Sequence, residues 1–312
     1  MSDIAFITGA DANYYPLLRE WLHSMRRCPQ SAAYDICILD AGLTPDQVRE
    51  LTPLVTRIVN PDWPAPLPTS RVRGKEYLKA CVCRPFIPKI FPGYQAYVWM
   101  DADTWMQNWE AFSLFLRSVK EKPDRIAVTG ADRAYPRSVL RVKWFFRWPI
   151  SARSFYLNNA QLAFGFDIAK KLISHHTISA GCFALAADAP HWKRWQELVV
   201  QAMTQGRVFT AEQIALGVLV HLEKYKAEIL PSYTHWLGGN KPLWDEERQQ
   251  FVEPYLPYAT IGVMHLAGVN AMRADRRVKE PYETLQGNVI QNNVRYPHYD
   301  GGAIVDGAPK RA

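Results

Sequence analysis

Several features are absent or scarce in this sequence, and each absence excludes a class of protein. The 312 residues contain no run of 18 apolar residues, so no transmembrane helix is expected. The opening, MSDIAFITGADANYY, lacks the basic region and long apolar stretch of a signal peptide. The five cysteines are scattered without a C-x-x-C pair, which argues against a zinc site and a disulfide framework. These absences predict a cytoplasmic protein, and they leave open a peripheral location at the inner face of a membrane.

Composition limits the partners. The chain is 48% hydrophobic and 21% charged, which is ordinary for a soluble globular protein. Its net charge of +7 favours anionic partners such as nucleotides, nucleic acid or an acidic membrane surface. The basic residues are spread along the chain and no nucleic-acid motif is present, so no nucleic-acid partner is expected.

The order of sequence patterns indicates an α/β fold. The first three predicted strands are IAFIT, YDICILD and RIVNP, and the segments between them have helical spacing. This β-α-β-α-β order predicts a mostly parallel mixed sheet flanked by helices. Further strands are expected at AYVWM, RIAVTGAD, SAGCFALA and TIGVMHLAG. Helical segments are expected at residues 75–91, interrupted by Pro85 and Pro88, and at residues 210–225. We expect one domain over residues 1–285 and an irregular tail over residues 286–312.

Two acids follow one of these strands directly. In QAYVWMDADTWMQNW the apolar run ends at Asp101 and Asp103. Ligands of open α/β sheets bind outside the carboxyl ends of the strands, and two carboxylates there suit a divalent cation. A D-x-D pair is also common by chance, so a helix cap and a solvated acid remain the alternative.

The D-x-D segment and five further segments, in the right order, resemble one family. YVWMDADTWMQ is similar to the metal-binding strand end of retaining family 8 glycosyltransferases, which have a GT-A type nucleotide-sugar transferase fold and include bacterial lipopolysaccharide galactosyltransferases and glycogenin. ITGADANYYPLLREWLHSMRR and YDICILDAGLTPDQVREL resemble the family's opening strands and helices. SAGCFALAADAPHWKRW, FTAEQIALGVLV and GVMHLAG resemble its later motifs.

The resemblance implies roles for individual residues. Asp101, Asp103 and His265 would bind Mn²⁺, or Mg²⁺ in its place. Gln213 and Glu212 would face the reacting carbon as candidate catalytic residues. The implied donor-binding residues are Thr8, Ala10, Asp11, Asn13, Tyr14, Arg84, Asp132, Ser179, Ala180, Gly181, Gly268 and Arg273.

Three departures from the family pattern bear on the donor. Ser179 stands where the family has asparagine, and Ile214 replaces the second acid of its Asp-Gln-Asp motif. The family's diphosphate-binding lysine falls near Ala271, so Arg273 is the expected substitute.

The resemblance implies transfer of a sugar from a nucleoside diphosphate sugar, with UDP expected as the nucleotide, to a saccharide, lipid-linked or protein acceptor. Retention of anomeric configuration is expected. A non-catalytic nucleotide-sugar-binding protein of the same fold is the alternative. The basic and aromatic stretch at residues 137–156 is either a membrane or lipid-acceptor contact or a partly buried insert.

Overall fold

The computed structural model describes residues 2–130 and 141–298. The strands are β1 Ile4–Ala10, β2 Asp35–Asp40, β3 Arg57–Val59, β4 Ala96–Met100, β5 Thr104–Met106, β6 Ile126–Gly130, β7 Arg141–Phe145, β8 Trp148–Arg153, β9 Ile178–Ala186, β10 Ala227–Leu230, β11 His235–Leu237, β12 Leu243–Asp245, β13 Gln250–Val252, β14 Val263–His265, β15 Glu280–Glu283 and β16 Val289–Asn292. The α-helices are α1 Tyr15–Arg26, α2 Pro45–Leu51, α3 Thr69–Val72, α4 Lys79–Val82, α5 Ile87–Ile90, α6 Trp109–Glu121, α7 Phe155–Phe164, α8 Phe166–Leu172, α9 His191–Gln205, α10 Ala211–Gly217 and α11 Asn270–Ala274.

A seven-stranded sheet forms the centre of the fold. Its order is β10-β6-β9-β4-β1-β2-β3, and β9 runs antiparallel to both of its neighbours while the other pairs are parallel. β1, β4, β6 and β9 are buried along their whole length, as expected of central strands with helices on both faces. The predicted mostly parallel mixed sheet is confirmed.

Local signals explain the first helices. Pro16 lies in the first turn of α1, and the helix buries a stripe that includes Leu18, Trp21 and Leu22. At α2, Thr44 and Gln47 form a reciprocal capping box, which satisfies backbone donors at the start of the helix.

A three-stranded sheet, β11-β14-β5, extends the fold beyond the central sheet. β14 pairs antiparallel with β5 and parallel with β11. A second apolar core lies here, and Trp105 and Trp236 are among its buried members. Trp105 and Met106 are therefore core residues, which answers why the apolar pattern resumes after the two aspartates.

Residues 75–91 form a series of single helical turns, and the expected interruption by Pro85 and Pro88 is confirmed, since each proline removes a backbone donor. Two other local expectations need correction. The helix expected over residues 210–225 stays α-helical only to Gly217 and continues as a π-helical turn over residues 218–222. The expected irregular tail begins with order, because β16 pairs with β15 and Val294 and Tyr296 are buried.

Several elements have no strong periodic pattern of apolar residues and were not predicted from the sequence. They are α7, α8 and the short strands β5, β10, β11, β12, β13 and β15. Within the described ranges, none of the helices combines the length and apolar character needed to cross a bilayer.

A buried ion cluster attaches the C-terminal segment to α1. Glu20 is buried on α1 and accepts hydrogen bonds from Arg295, which is also buried. Arg276 reaches the same carboxylate at 2.6 Å. Removing one partner of such a cluster leaves a buried charge without compensation.

We therefore expect Glu20→Gln to lower the free energy of unfolding by about 3 kcal/mol or more, because Arg295 stays buried without a countercharge. Urea unfolding followed by circular dichroism measures the change. The matched control is Glu121→Gln, which breaks an exposed i,i+4 pair with Arg117 and should cost less than about 1 kcal/mol. Equal costs for the two variants would show that the cluster does not hold the C-terminal segment.

Candidate active site

A cavity of about 450 Å³ opens at the carboxyl ends of β1 and β4. Fourteen of the seventeen residues predicted from the sequence line it. They are Ala10, Asp11, Asn13, Tyr14, Arg84, Asp101, Asp103, Ser179, Ala180, Gly181, Glu212, Gln213, His265 and Arg273. Residues separated by more than 200 positions in the chain thus meet at one edge of the sheet.

Of the other three predicted residues, two are described and do not line this cavity. Thr8 is fully buried within β1, two residues before the strand's end. Gly268 packs against Gly239 with a positive φ of 84°, which makes it a turn residue beside the site. Asp132 lies outside the described residues.

Asp101, Asp103 and His265 form a compact group of ligand atoms. His265 Nε2 lies 3.3 Å from Asp103 Oδ1 and 3.8 Å from Asp101 Oδ2. One ligand atom from each residue lies within 4.8 Å of the others, a spacing at which one divalent cation could contact all three. Two carboxylates and an imidazole suit a borderline divalent metal.

The connection between the two sheets creates this group. β4 ends at Met100, and the chain turns through residues 101–103 into β5 of the second sheet. The Asp101 carbonyl accepts the Thr104 N–H at 3.0 Å, which closes the turn. Thr104 in turn pairs across the ladder with His265. The second sheet therefore places the histidine directly beside the two aspartates.

Gly181 provides the space for this arrangement. A Cβ at this position would lie 2.6 Å from His265 Cε1 and 2.9 Å from Asp101 Oδ2. The Gly181 carbonyl also accepts the Asp101 N–H at 2.8 Å, so β9 holds the turn. A glycine is required because the backbone of β9 touches two of the three ligand residues.

A second histidine supports His265 from behind. His235 Nε2 lies 3.0 Å from His265 Nδ1, and the two rings stack at 5.1 Å. His235 Nδ1 lies 3.1 Å from the Thr129 hydroxyl. Burial, aided by the neighbouring His265, holds the pKa of His235 well below its usual range. This chain of contacts fixes the His265 ring so that Nε2 faces the aspartates.

Arg84 links Asp101 to Glu212. Its guanidinium is buried, lies 2.6 Å from Asp101 Oδ1 and 3.4 Å from Glu212 Oε1, and donates to the Ala180 carbonyl at 2.8 Å. It also lies over the Trp99 ring at 4.9 Å. Burial raises the pKa of Asp101 even though Arg84 and His265 oppose that rise.

Arg273 makes the matching contact with Asp103. Its Nη1 lies 3.0 Å from Asp103 Oδ2, and its guanidinium lies 5.7 Å from the centre of the Tyr14 ring. Burial disfavours the charged form of Asp103, but His265 and Arg273 outweigh it and hold the pKa of this carboxyl below its usual range. Ala271 does not line the cavity, so the structure places Arg273, the expected substitute, at the site.

The loop after β1 is shaped by its own polar side chains. Asp11 accepts the Tyr14 N–H at 3.0 Å and an Asn13 amide hydrogen at 3.0 Å. This turn presents Tyr14 to the cavity, where burial, followed by the nearby Asp103, raises the pKa of the phenol to about 12.

Glu212 and Gln213 reach the cavity from the start of α10. Gln213 donates to the Ile178 carbonyl at 2.9 Å. Glu212 is buried, and its Oε2 has no hydrogen-bond partner. Burial raises its pKa to about 7 despite the opposing effect of Arg84. A buried carboxyl oxygen without a partner, on a residue that lines a cavity, marks a candidate functional group.

His235 and several residues that line the cavity, three aromatic ones among them, were not predicted from the sequence. His235 carries no motif of its own and is recognisable only from its pairing beside β14. Tyr77, Phe155 and Phe209 line the cavity, and Tyr77 and Phe209 are exposed. Isolated aromatic residues give no signal in a single sequence, because most of them are core residues.

No protein-family model and no curated protein matches the sequence. Solved structures match the fold. The apo structure of WbbM, a bifunctional glycosyltransferase, is 15% identical with a TM-score of 0.53, over 86% of this chain and 46% of that one. This chain therefore spans less than half the length of WbbM. An active-site mutant of LgtC is 13% identical with a TM-score of 0.50, over 84% of this chain and 86% of that one.

The chain has the GT-A type fold. The likeness confirms the fold that the sequence implied. Within this GT-A type fold the Asp-Asp-His group lies at the carboxyl edge of the central sheet, where open α/β sheets bind ligands.

The raised pKa of Glu212 predicts a pH-dependent stability. Between the usual pKa of 4.5 and the folded value of about 7, the unfolded chain releases the proton that the folded chain keeps. The unfolded state then binds fewer protons, so stability falls as pH rises through this window and levels off above it.

Relative to Glu212→Gln, the native chain should lose up to about 3 kcal/mol of unfolding free energy between about pH 5 and about pH 8. Urea titrations at the two pH values measure this difference. The unfolding free energy of the exposed control Glu121→Gln should change between the two pH values as that of the native chain does. A native chain that gains stability relative to Glu212→Gln as pH rises would contradict the assignment.

Proposed function

We propose that this protein is a metal-dependent glycosyltransferase. It transfers a sugar from a nucleoside diphosphate sugar, with UDP as the nucleotide, to a saccharide, lipid-linked or protein acceptor with retention of configuration. The observation that carries the proposal is the group of Asp101, Asp103 and His265 in one cavity, with an arginine on each aspartate. The GT-A type fold supports it.

The metal site supports this function through its donor set. Asp101, Asp103 and His265 would hold Mn²⁺ or Mg²⁺, and His235 would keep the imidazole oriented. When bound, the cation would act as a Lewis acid that stabilises negative charge on the leaving diphosphate.

The two arginines have different tasks in this proposal. Arg84 is buried and bound to Asp101 and to the Ala180 carbonyl, so it positions the carboxylate. Arg273 is partly exposed at the cavity wall, and its guanidinium adds positive charge where a diphosphate would lie.

The loop after β1 suits the nucleoside. Tyr14 offers an aromatic face to the base, and its ring is already held near Arg273. Asp11 and Asn13 line the same wall and carry hydrogen-bonding groups for a ribose.

Glu212 and Gln213 lie on the wall assigned to the reacting sugar. Gln213 is held by the Ile178 carbonyl, whereas one carboxyl oxygen of Glu212 is without a partner. A rotation of the Glu212 side chain toward the cavity would let this oxygen accept a hydrogen bond from a sugar hydroxyl or stabilise positive charge that develops at the reacting carbon. Tyr77, Phe155 and Phe209 offer apolar faces for the acceptor.

We expect Mn²⁺-dependent release of UDP from a panel of UDP-sugars, and a loss of roughly 100-fold or more in Asp101→Asn and Asp103→Asn. The isosteric amides keep the shape of the site and remove the charge that attracts the cation. Coupled detection of UDP measures the rate, and Asp46→Asn on the exposed face of α2 is the control.

Undiminished, metal-independent UDP release in both variants would contradict the proposal. Tight UDP binding by the native chain with no turnover across the sugar panel would instead favour the non-catalytic binding protein. The departures at Ser179, Ile214 and Ala271 motivate that alternative.

His235 gives an independent test of the metal site. We expect His235→Ala to weaken Mn²⁺ binding roughly 10–100-fold, because His265 loses the partner of its Nδ1. Isothermal titration with MnCl₂ in the presence of UDP measures the affinity. His191→Ala is the matched control, since His191 is also a buried histidine. Its Nε2 lies 2.8 Å from the Lys226 carbonyl, and it does not line the cavity. If both variants bind Mn²⁺ equally well at similar melting temperatures, His235 has no positioning role.

A further inference from the structure

The hairpin formed by β7 and β8 exposes a cluster of large aromatic side chains. Trp144, Phe145, Phe146 and Trp148 are 61%, 62%, 88% and 76% exposed. They lie within five consecutive residues at the tip, where Phe145 pairs with Trp148 and Phe146 has a positive φ of 52°. Each such side chain gains about 1.5–3 kcal/mol when it leaves water, so an exposed group of four favours a partner.

The geometry of the tip favours a medium that surrounds it. Trp144 and Phe145 are consecutive on one strand, so their side chains point to opposite faces of the hairpin. A flat protein surface on one face would leave the other face in water. The interface of a bilayer covers both faces, and tryptophan and other aromatic rings are favoured there.

The positive charge of this segment indicates that the bilayer surface it contacts is anionic. Residues 133–166 contain no aspartate or glutamate and carry six cations, Arg133, Arg137, Arg141, Lys143, Arg147 and Arg153. Lys143 lies beside the aromatic cluster and Arg147 lies within it, and both are exposed. Each cation near an anionic leaflet contributes about 1 kcal/mol at physiological salt.

The hairpin is also continuous with the wall of the cavity. β8 ends at Arg153, Ser154 caps α7 by accepting the Leu157 N–H, and Phe155 lines the cavity. One residue, Ser154, therefore separates the end of the hairpin from the wall of the candidate active site.

We propose that residues 143–148, the aromatic tip, insert into the interface of an anionic phospholipid bilayer. The aromatic side chains provide the apolar contact, and Lys143 and Arg147 bind the lipid phosphates. Binding requires neither nucleotide nor metal, so it can be tested without reference to the glycosyltransferase activity.

Vesicle flotation tests the proposal. We expect the full chain to float with vesicles that contain phosphatidylglycerol, to float less with phosphatidylcholine alone, and to lose binding as NaCl rises. A variant with Phe145→Ser, Phe146→Ser and Trp148→Ser should bind roughly ten-fold or more weakly. A variant with Lys143→Ala and Arg147→Ala should lose most of the preference for anionic vesicles.

Matched surface variants serve as controls. Leu256→Ser replaces an apolar side chain that is 81% exposed in another segment, and Lys120→Ala with Lys193→Ala removes two exposed cations elsewhere. Both should float like the native chain. If the triple variant has a lowered melting temperature, the single variant Phe146→Ser at the most exposed position replaces it in the comparison.

Three results would overturn the proposal. The native chain could stay at the bottom of the gradient with anionic vesicles, or a tip variant could float as well as the native chain. The third is self-association in the absence of lipid that the tip substitutions abolish, because the cluster would then bind a second copy of the chain.

Discussion

The candidate site depends on one constraint, which is that the negative charges of two carboxylates with little exposure to water must be balanced by nearby groups. Asp101 and Asp103 lie at the turn between two sheets, where burial disfavours their charged forms. Ionised groups in such a place need cations at close range. Arg84 and Arg273 supply them, the His265 imidazole adds a contact to both carboxylates, and each of the three comes from a different part of the chain.

This requirement explains why the smaller elements are where they are. The second sheet brings His265 beside the aspartates through its pairing with Thr104, and β11 brings His235 behind it. α11 carries Arg273, and the C-terminal segment that follows is anchored by Glu20 on α1. Short elements with little stability of their own thus complete a site that the central sheet begins.

The aromatic hairpin is the opposite case. In the site, charged groups are buried or partly buried and form ion pairs, whereas at residues 144–148 apolar groups are exposed. Both arrangements cost free energy in the isolated chain. In our proposals, a cation and an anionic donor would lower the cost at the buried site, and a lipid interface would lower the cost at the hairpin.

The sequence by itself determined the elements whose signals are local. Apolar runs predicted β1, β2 and β4, and helical spacing predicted α1 and α2. The order of the motifs also predicted most residues that line the cavity, because each motif lies at the end of a regular element.

Only the tertiary structure decided what depends on pairing between distant residues. The partner of His265, the choice of Arg273 over Ala271 and the strand at Val289–Asn292 depend on contacts that no local period records. The unpartnered oxygen of Glu212 belongs to the same class, because burial is a property of the packed chain. Periodicity and capping act within one or two helical turns, whereas the charge balance of this site joins residues up to 170 positions apart.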